Sequence, residues 1–220
     1  MEFLNSILEN LQGIMSSWTS IATLVGILIL YCVFIKVKKI TFTPKLLSHI
    51  ALAVSMSVIL SFIKLFQLPY GGSANLAAML PIILISLIYG PIIGIFTGFV
   101  YSVLNFVIGP AYILHPIQVL FDYTLPFMAI GLSGFFKNNK YLSIAIGFLG
   151  MFIFNYIAGV IFWGSYAADF DMAPMLYSFV YNGSYNLLNC IICMVICSVI
   201  DLNKLINHLA PHNMKKSTNL

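Results

Sequence analysis

The sequence predicts an all-α integral membrane protein, and three observations carry that expectation: an apolar excess, the length of its apolar runs, and the placement of its lysines. Of its 220 residues 61% are hydrophobic and only 7% charged, with a mean hydropathy of +1.01, whereas a soluble domain carries about 25% charged residues. Several apolar runs reach the roughly 18 residues that cross a hydrocarbon core of about 30 Å as helix. The period-two alternation of barrel strands is absent.

All ten basic residues are lysines. Lys36, Lys38, Lys39 and Lys45 follow the first apolar run, Lys137 and Lys140 fall in a short polar break, and Lys204, Lys215 and Lys216 lie in the tail. Placing those three regions in the cytoplasm satisfies the positive-inside rule and leaves only Lys64, near a helix end where its stem can snorkel. The net charge of +4 then reads as an orientation signal, with nothing pointing to nucleic acid.

Breakers divide the chain into seven expected spans. Residues 1–18 hold Glu2 and Glu9 with no early basic cluster, unlike a cleavable signal, so 20–37 is a true span with its amino terminus outside. A second span, 46–66, ends at QLPYGGS. The third and fourth, 74–89 and 91–108, form a hairpin split only by Gly90 and Pro91; the fifth ends near Phe136, the sixth covers 141–163 and the seventh 175–201. The expected organisation is a segment 1–45 with the extra helix and a basic cytoplasmic loop, a membrane domain 46–201, and a polar cytoplasmic tail 202–220. Alternation puts the loops 68–73, 109–116 and 163–174 outside, rich in Tyr, Gly and Pro and holding Asp169 and Asp171.

Asp122 lies within the fifth span. An ionised carboxylate near a bilayer centre costs about 2.5 to 3.5 kcal/mol on insertion scales, so an intramembrane acid marks a functional site. His115 and Gln118 share its helical face at i−7 and i−4. Two partners fit the charge: Lys64 of the second span, or an incoming cation. Tyr112 is in the adjoining loop, Asn155, Gly159 and Trp163 share a face of the sixth span, and Tyr177, Tyr181, Asn182 and Tyr185 line the outer half of the seventh. Aromatic faces, amides and small residues around a carboxylate suit a flat or cationic ligand. The same residue types also make an interfacial aromatic belt and interhelical hydrogen bonds.

Cys190, Cys193 and Cys197 share one face of the last span without an accompanying His or acid, so no metal site is expected, and His208 with His212 fits a solvated tail helix. No cofactor is implied. GLSG at 131–134 superficially matches a serine nucleophile turn, yet no histidine lies within reach as a base, so no enzyme is expected. No GxxxxGK[ST] phosphate loop occurs, and any active uptake must borrow its energy. In HIALAVSMS the pairs Ala51/Ser55 and Ala53/Ser57 present small residues at i, i+4 that let another helix approach closely.

From about Leu46 to Ile200 the chain resembles the thiamine-binding S-components of energy-coupling-factor vitamin transporters, through GPAYILHPIQVLFDYTLPFMAIGLSGFF, NYIAGVIFWGSYA and YSFVYNG. The resemblance implies a six-helix S-component bundle plus one additional amino-terminal transmembrane helix, 20–37, with a pocket near the outer face closed by loops between early helices. It assigns the ligand to Asp122 and Tyr123, joined by Tyr112, Trp163, Tyr177 and Asn182. It also implies docking of the early helix on a transmembrane coupling subunit that works with two ATPases, which favours Ala51 and Ser55. The family pattern has a Trp where this chain has Gly72, a His where it has Asn155, and commonly a Glu at Asp122. Those departures leave a thiamine precursor or another vitamin as a second ligand class. The rival class is a proton-coupled secondary transporter, which predicts further acids or His along a pathway to the cytoplasm, or repeated halves with broken helices; Asp122 is the only acid in the spans, and no repeat is evident.

Overall fold

The structure, a computed structural model, describes residues 5, 32, 41–109, 113, 115–201, 204 and 205. The expected first span, Tyr112 and most of the tail lie outside the described residues. Within them the chain forms six helical segments and one two-stranded hairpin.

Helix α1, Pro44–Phe62, starts where the Thr43 hydroxyl accepts from the Leu46 N–H at 3.2 Å and Pro44 supplies a pre-set φ. It stops at Phe62, short of the expected end at residue 66. Strands β1, Lys64–Gln67, and β2, Ser73–Asn75, pair antiparallel across a 3-10 turn, Pro69–Gly71. Leu68-Pro69 and the Gly71-Gly72 pair turn the chain back before a longer helix can form, with Gly71 at φ 100°. The third span consequently begins later than expected. Helix α2, Leu80–Tyr89, has ten residues and is almost wholly buried; at 1.5 Å per residue it covers about half the hydrocarbon thickness. Gly90, at φ 96°, reverses the chain directly into helix α3, Pro91–Ile108.

Helix α4 is a composite over residues 116–135: an α turn at Pro116–Val119, a π turn at Leu120–Thr124, α again at Leu125–Ala129, and a 3-10 end at Ile130–Phe135. Helix α5, Lys140–Phe162, is capped by the Asn139 side chain, which accepts from the N–H groups of Tyr141 and Leu142 at 3.1 Å. After a 3-10 segment, Gly164–Phe170, helix α6 runs Pro174–Val199. Five helices are long and apolar enough to cross a membrane: α1, α3, α4, α5 and α6. The chain is a multi-pass membrane protein.

The two ends of the bundle differ. Leu46, Ile50 and Val54 of α1, Ile82 and Ile83 of α2, Ile93 of α3, Ile130 of α4, Ile144 and Phe148 of α5 and Cys193 and Cys197 of α6 form one apolar core at the end where α1, α3 and α5 begin. Backbones meet directly there: a Cβ on Gly98 would strike the Phe127 carbonyl, and one on Gly131 the Ile95 amide. Ser86 Oγ donates to the Gly131 carbonyl at 2.6 Å, and Lys140 Nζ reaches the Cys197 carbonyl at 3.1 Å, tying α2 to α4 and α5 to the last turn of α6. With that end close-packed, polar residues of the same helices gather at the other.

Candidate functional site

The break in α4 has a sequence cause. Pro126 lacks the N–H that would bond the Asp122 carbonyl four residues back, and its ring crowds that carbonyl. The helix responds by widening, so that Leu125 N–H bonds the Leu120 carbonyl, an i to i−5 bond. A π turn of this kind inserts one residue and re-aims the side chains within it. Asp122 and Tyr123 sit in that turn.

Asp122 Oδ2 accepts from Gln118 Nε2 and from Trp163 Nε1, each at 2.6 Å. Both donors are neutral, so the bonds orient the carboxylate without cancelling its charge. Gln118 is fully buried behind it, one turn earlier. Trp163 comes from the end of α5, so the acid links two helices. Lys64, the internal partner considered from sequence, is exposed on β1, and its Nζ contacts Gln67 Oε1 at 3.5 Å.

Helix α6 supplies the opposite wall. Asn182 Nδ2 donates to Ser178 Oγ at 3.1 Å, Ser178 Oγ to the Tyr156 carbonyl at 2.8 Å, and the Tyr185 hydroxyl to Asn182 Oδ1 at 2.9 Å. Gly159 of α5 lets this chain pass, since a Cβ there would strike Ser178 Oγ and lie 2.6 Å from Asn182 Nδ2. Tyr177 and Tyr181 stack at 5.5 Å, and Trp163 meets Tyr166 at 5.5 Å.

The hairpin covers this wall along the line 181, 185, 189 of α6. Asn189 bonds β2 twice, accepting from Asn75 N–H at 2.9 Å and donating to the Ser73 carbonyl at 2.8 Å, as a neighbouring strand would. At the tip the Tyr181 hydroxyl donates to the Pro69 carbonyl and accepts from Gly72 N–H at 2.9 Å, closing the turn from both sides. Tyr70, at φ 63°, donates to Asp169 Oδ2 at 3.1 Å and packs on Tyr166 at 4.7 Å. The same hydrogen bond, chiefly, raises the Tyr70 phenol above its usual pKa. A side chain at Gly72 would come within 2.9 Å of both Tyr181 and Tyr185, so α6 rings occupy the space beside that backbone.

Between the hairpin, the end of α1 at Val58, Ser61 and Phe62, and helices α3, α4, α5 and α6 lies a cavity of about 280 Å³, near the lower end of the ~300–1,000 Å³ typical of small-molecule sites. Asp122, Tyr123, Asn155, Trp163, Tyr177 and Asn182 all line it. Gln118 stands behind the acid. His115 does not line the cavity: it is exposed, accepts from Ile117 N–H at 3.2 Å as the cap of α4, and stacks on Phe162 at 5.7 Å. Its place at i−7 from Asp122 suggested a shared face, but His115 is the extended N-cap, outside the helix, so helical spacing does not reach it. Ala51 and Ser55 are exposed on α1, while Ala53 and Ser57 of the second small pair face the bundle.

Sequence reasoning overlooked part of the lining. Tyr101 and Asn105 of α3, four residues apart and bonded at 3.4 Å, both line the cavity. Asn189 continues the Tyr181, Tyr185 line at the next i+4 position. Both signals were periodic polar residues inside apolar runs.

Residues 47–208 match the family model described as thiamine transporter protein (Thia_YuaJ). The chain belongs to this family. The thiamine transporter ThiT of Bacillus subtilis (strain 168) is 32% identical over 168 residues, covering 68% of this chain and 86% of that protein. ThiT of Lacticaseibacillus paracasei is 27% identical over 141 residues, covering 56% of this chain and 70% of its own. The solved structure of ThiT from Listeria monocytogenes superposes with a TM-score of 0.66 at 28% identity, over 76% of this chain and 97% of that one. The family is one of transporters rather than enzymes, and the six described helices span the matched region.

Proposed function

We propose that the chain is the thiamine-binding S-component of an ATP-driven energy-coupling-factor uptake transporter, with the cavity opening to the outside. One observation carries this reading: a carboxylate held by two neutral donors and surrounded by Tyr and Trp faces in a chain of the thiamine transporter family. Thiamine offers the complement, a permanently cationic thiazolium for the π faces and an aminopyrimidine whose N–H groups can donate to an acid. A desolvated cation–π contact is worth ~2 kcal/mol and a hydrogen bond to a charged group ~1.5–3 kcal/mol, so a few such contacts around one carboxylate give tight binding.

The amino terminus lies outside and the carboxyl terminus in the cytoplasm, the orientation that puts nine lysines inside. The partners are a transmembrane coupling subunit and two ATPases, which supply the energy that this chain has no phosphate loop to extract. The exposed Ala51/Ser55 face of α1 supports docking of the coupling subunit there.

The test is a titration of the purified protein with thiamine, following Trp fluorescence. Saturable submicromolar quenching, insensitive to a proton gradient and lost in Asp122→Ala and Tyr123→Ala, is expected. Binding of another vitamin in place of thiamine, or a response that requires the proton gradient, would overturn the assignment.

A further inference from the structure

The cavity occupies one end of the bundle, and the opposite end holds a charge without a counterpart. There, where α1, α3 and α5 begin, residues 136–139 form the turn that joins α4 to α5. Lys137 of this turn is half-buried, and its Nζ makes no hydrogen bond or ion pair among the described residues. Burial alone pushes its ammonium below the usual lysine range. No acid occurs in the sequence between Asp122 and Asp169, so neither flanking helix offers one at this end. Asp201, past the end of α6, accepts from the Lys204 N–H at 3.1 Å. Lys140, three residues on, is already placed: its Nζ donates to the Cys197 carbonyl at 3.1 Å and lies 5.2 Å from the Tyr141 ring centroid. Lys45, at the same end on α1, is exposed and carries no comparable desolvation cost. Aromatic rings flank the unpaired lysine, and Phe135, Phe136 and Tyr141 are all exposed. At the edge of a membrane such rings face lipid, and a lysine among them lays its stem along apolar surface and carries its ammonium to the level of the headgroups.

We infer that the turn between α4 and α5 is a binding site for one anionic phospholipid, whose phosphate pairs with Lys137 while an acyl chain lies over Phe135. The phosphate supplies the negative charge that the chain lacks at this end, and the acyl chain covers the exposed ring. A zwitterionic headgroup carries a phosphate too, but its own cation opposes the lysine, so the site favours a lipid with net negative charge. A lysine suits this role because its flexible stem and point charge reach a tetrahedral oxyanion without fixed geometry. The inference goes beyond vitamin binding and does not depend on it. On the proposed orientation the site meets the cytoplasmic leaflet, whose surface potential is negative.

Native mass spectrometry of the purified full chain tests this, with the protein released from mixed micelles holding equal amounts of phosphatidylglycerol and phosphatidylcholine of matched acyl chains. Wild type should retain one phosphatidylglycerol in preference to phosphatidylcholine. Lys137→Gln should lower that preference by about fivefold, the factor that corresponds to one lysine at an anionic surface, while Lys137→Arg keeps it. Lys137→Met supplies a second neutral side chain should Lys137→Gln not fold, as judged by circular dichroism. Phe135→Ser should reduce retention of both lipids and leave the ratio between them. Lys45→Gln, which removes an equal charge from the same end, should leave the preference within twofold. The same preference in wild type and in the neutral Lys137 variants overturns the proposal. So does an equal loss in Lys45→Gln, which makes the effect one of diffuse surface charge, and so does unchanged retention in Phe135→Ser, since a free phosphate has no use for the ring. Absence of any preference in wild type overturns it as well and assigns the unpaired lysine to an acid on a partner protein.

Discussion

Asp122 is unusual less for being buried than for what holds it. Burying an ion costs several kcal/mol, and two bonds from neutral donors onto the same oxygen, each worth ~1.5–3 kcal/mol, offset part of that cost. On the proposed reading, the rest is recovered when a cation arrives. Asp122→Asn keeps the shape and removes the charge; thiamine affinity should fall by roughly 100-fold or more, as when one partner of a buried charge pair is lost, with the thermal midpoint unchanged or raised. Trp163→Phe keeps an aromatic face and deletes one donor, and calorimetry should show a loss of about tenfold. Single residues of this kind were readable from sequence, because an acid in an apolar run has few uses. The donor of the second bond was less so. Trp163 is equally at home in an interfacial belt, and only the packing of α5 against α4 brings its indole N–H to the carboxylate.

Elements explain how the acid and its cover are positioned. Helix α4 could not be read as broken from hydropathy, which is continuous over 116–135, although Pro126 stood in plain view four residues after Asp122. Pro126→Ala restores the missing N–H and favours a regular α turn; affinity for thiamine should drop severalfold while the helical content measured by circular dichroism stays constant or rises. The hairpin was also hidden. KLFQ, whose Leu65 and Phe66 continue the apolar run of α1, reads equally as the end of a helix; what makes it a strand is its pairing with β2, which Asn189, over 100 residues later, bonds as a neighbouring strand would. Tyr181→Phe removes the hydroxyl that bonds both Pro69 and Gly72 while keeping the ring. Stopped-flow displacement should show thiamine leaving about tenfold faster, two neutral hydrogen bonds being worth ~1–2 kcal/mol, with the association rate little changed.

At the scale of the whole molecule, one end of the bundle is a close-packed apolar core and the other a lined cavity under a hairpin, and the same helices serve both. The fold class, the helical hairpin at Gly90 and the gathering of polar residues at one end of the bundle were all legible in composition and turn signals. The shortness of α2 was not, since residues 76–79, between β2 and α2, are as apolar as the helix that follows. The proposed docking at the exposed Ala51/Ser55 face would make binding and energising separable. Ala51→Leu with Ser55→Leu should leave thiamine affinity of the isolated protein within twofold, neither residue lining the cavity, yet abolish uptake into cells carrying the coupling subunits by blocking close helix approach. Loss of both together would contradict that separation.

Charge completion at Asp122 is tested most directly by calorimetry with thiamine and its neutral thiophene isostere, 3-deazathiamine, on wild type and Asp122→Asn. A carboxylate that the ligand's cation completes requires wild type to prefer thiamine by about 100-fold and the variant to lose that preference, a coupling of roughly 2–3 kcal/mol. Equal affinity of wild type for the charged and neutral ligands, or the same preference in both proteins, would contradict it.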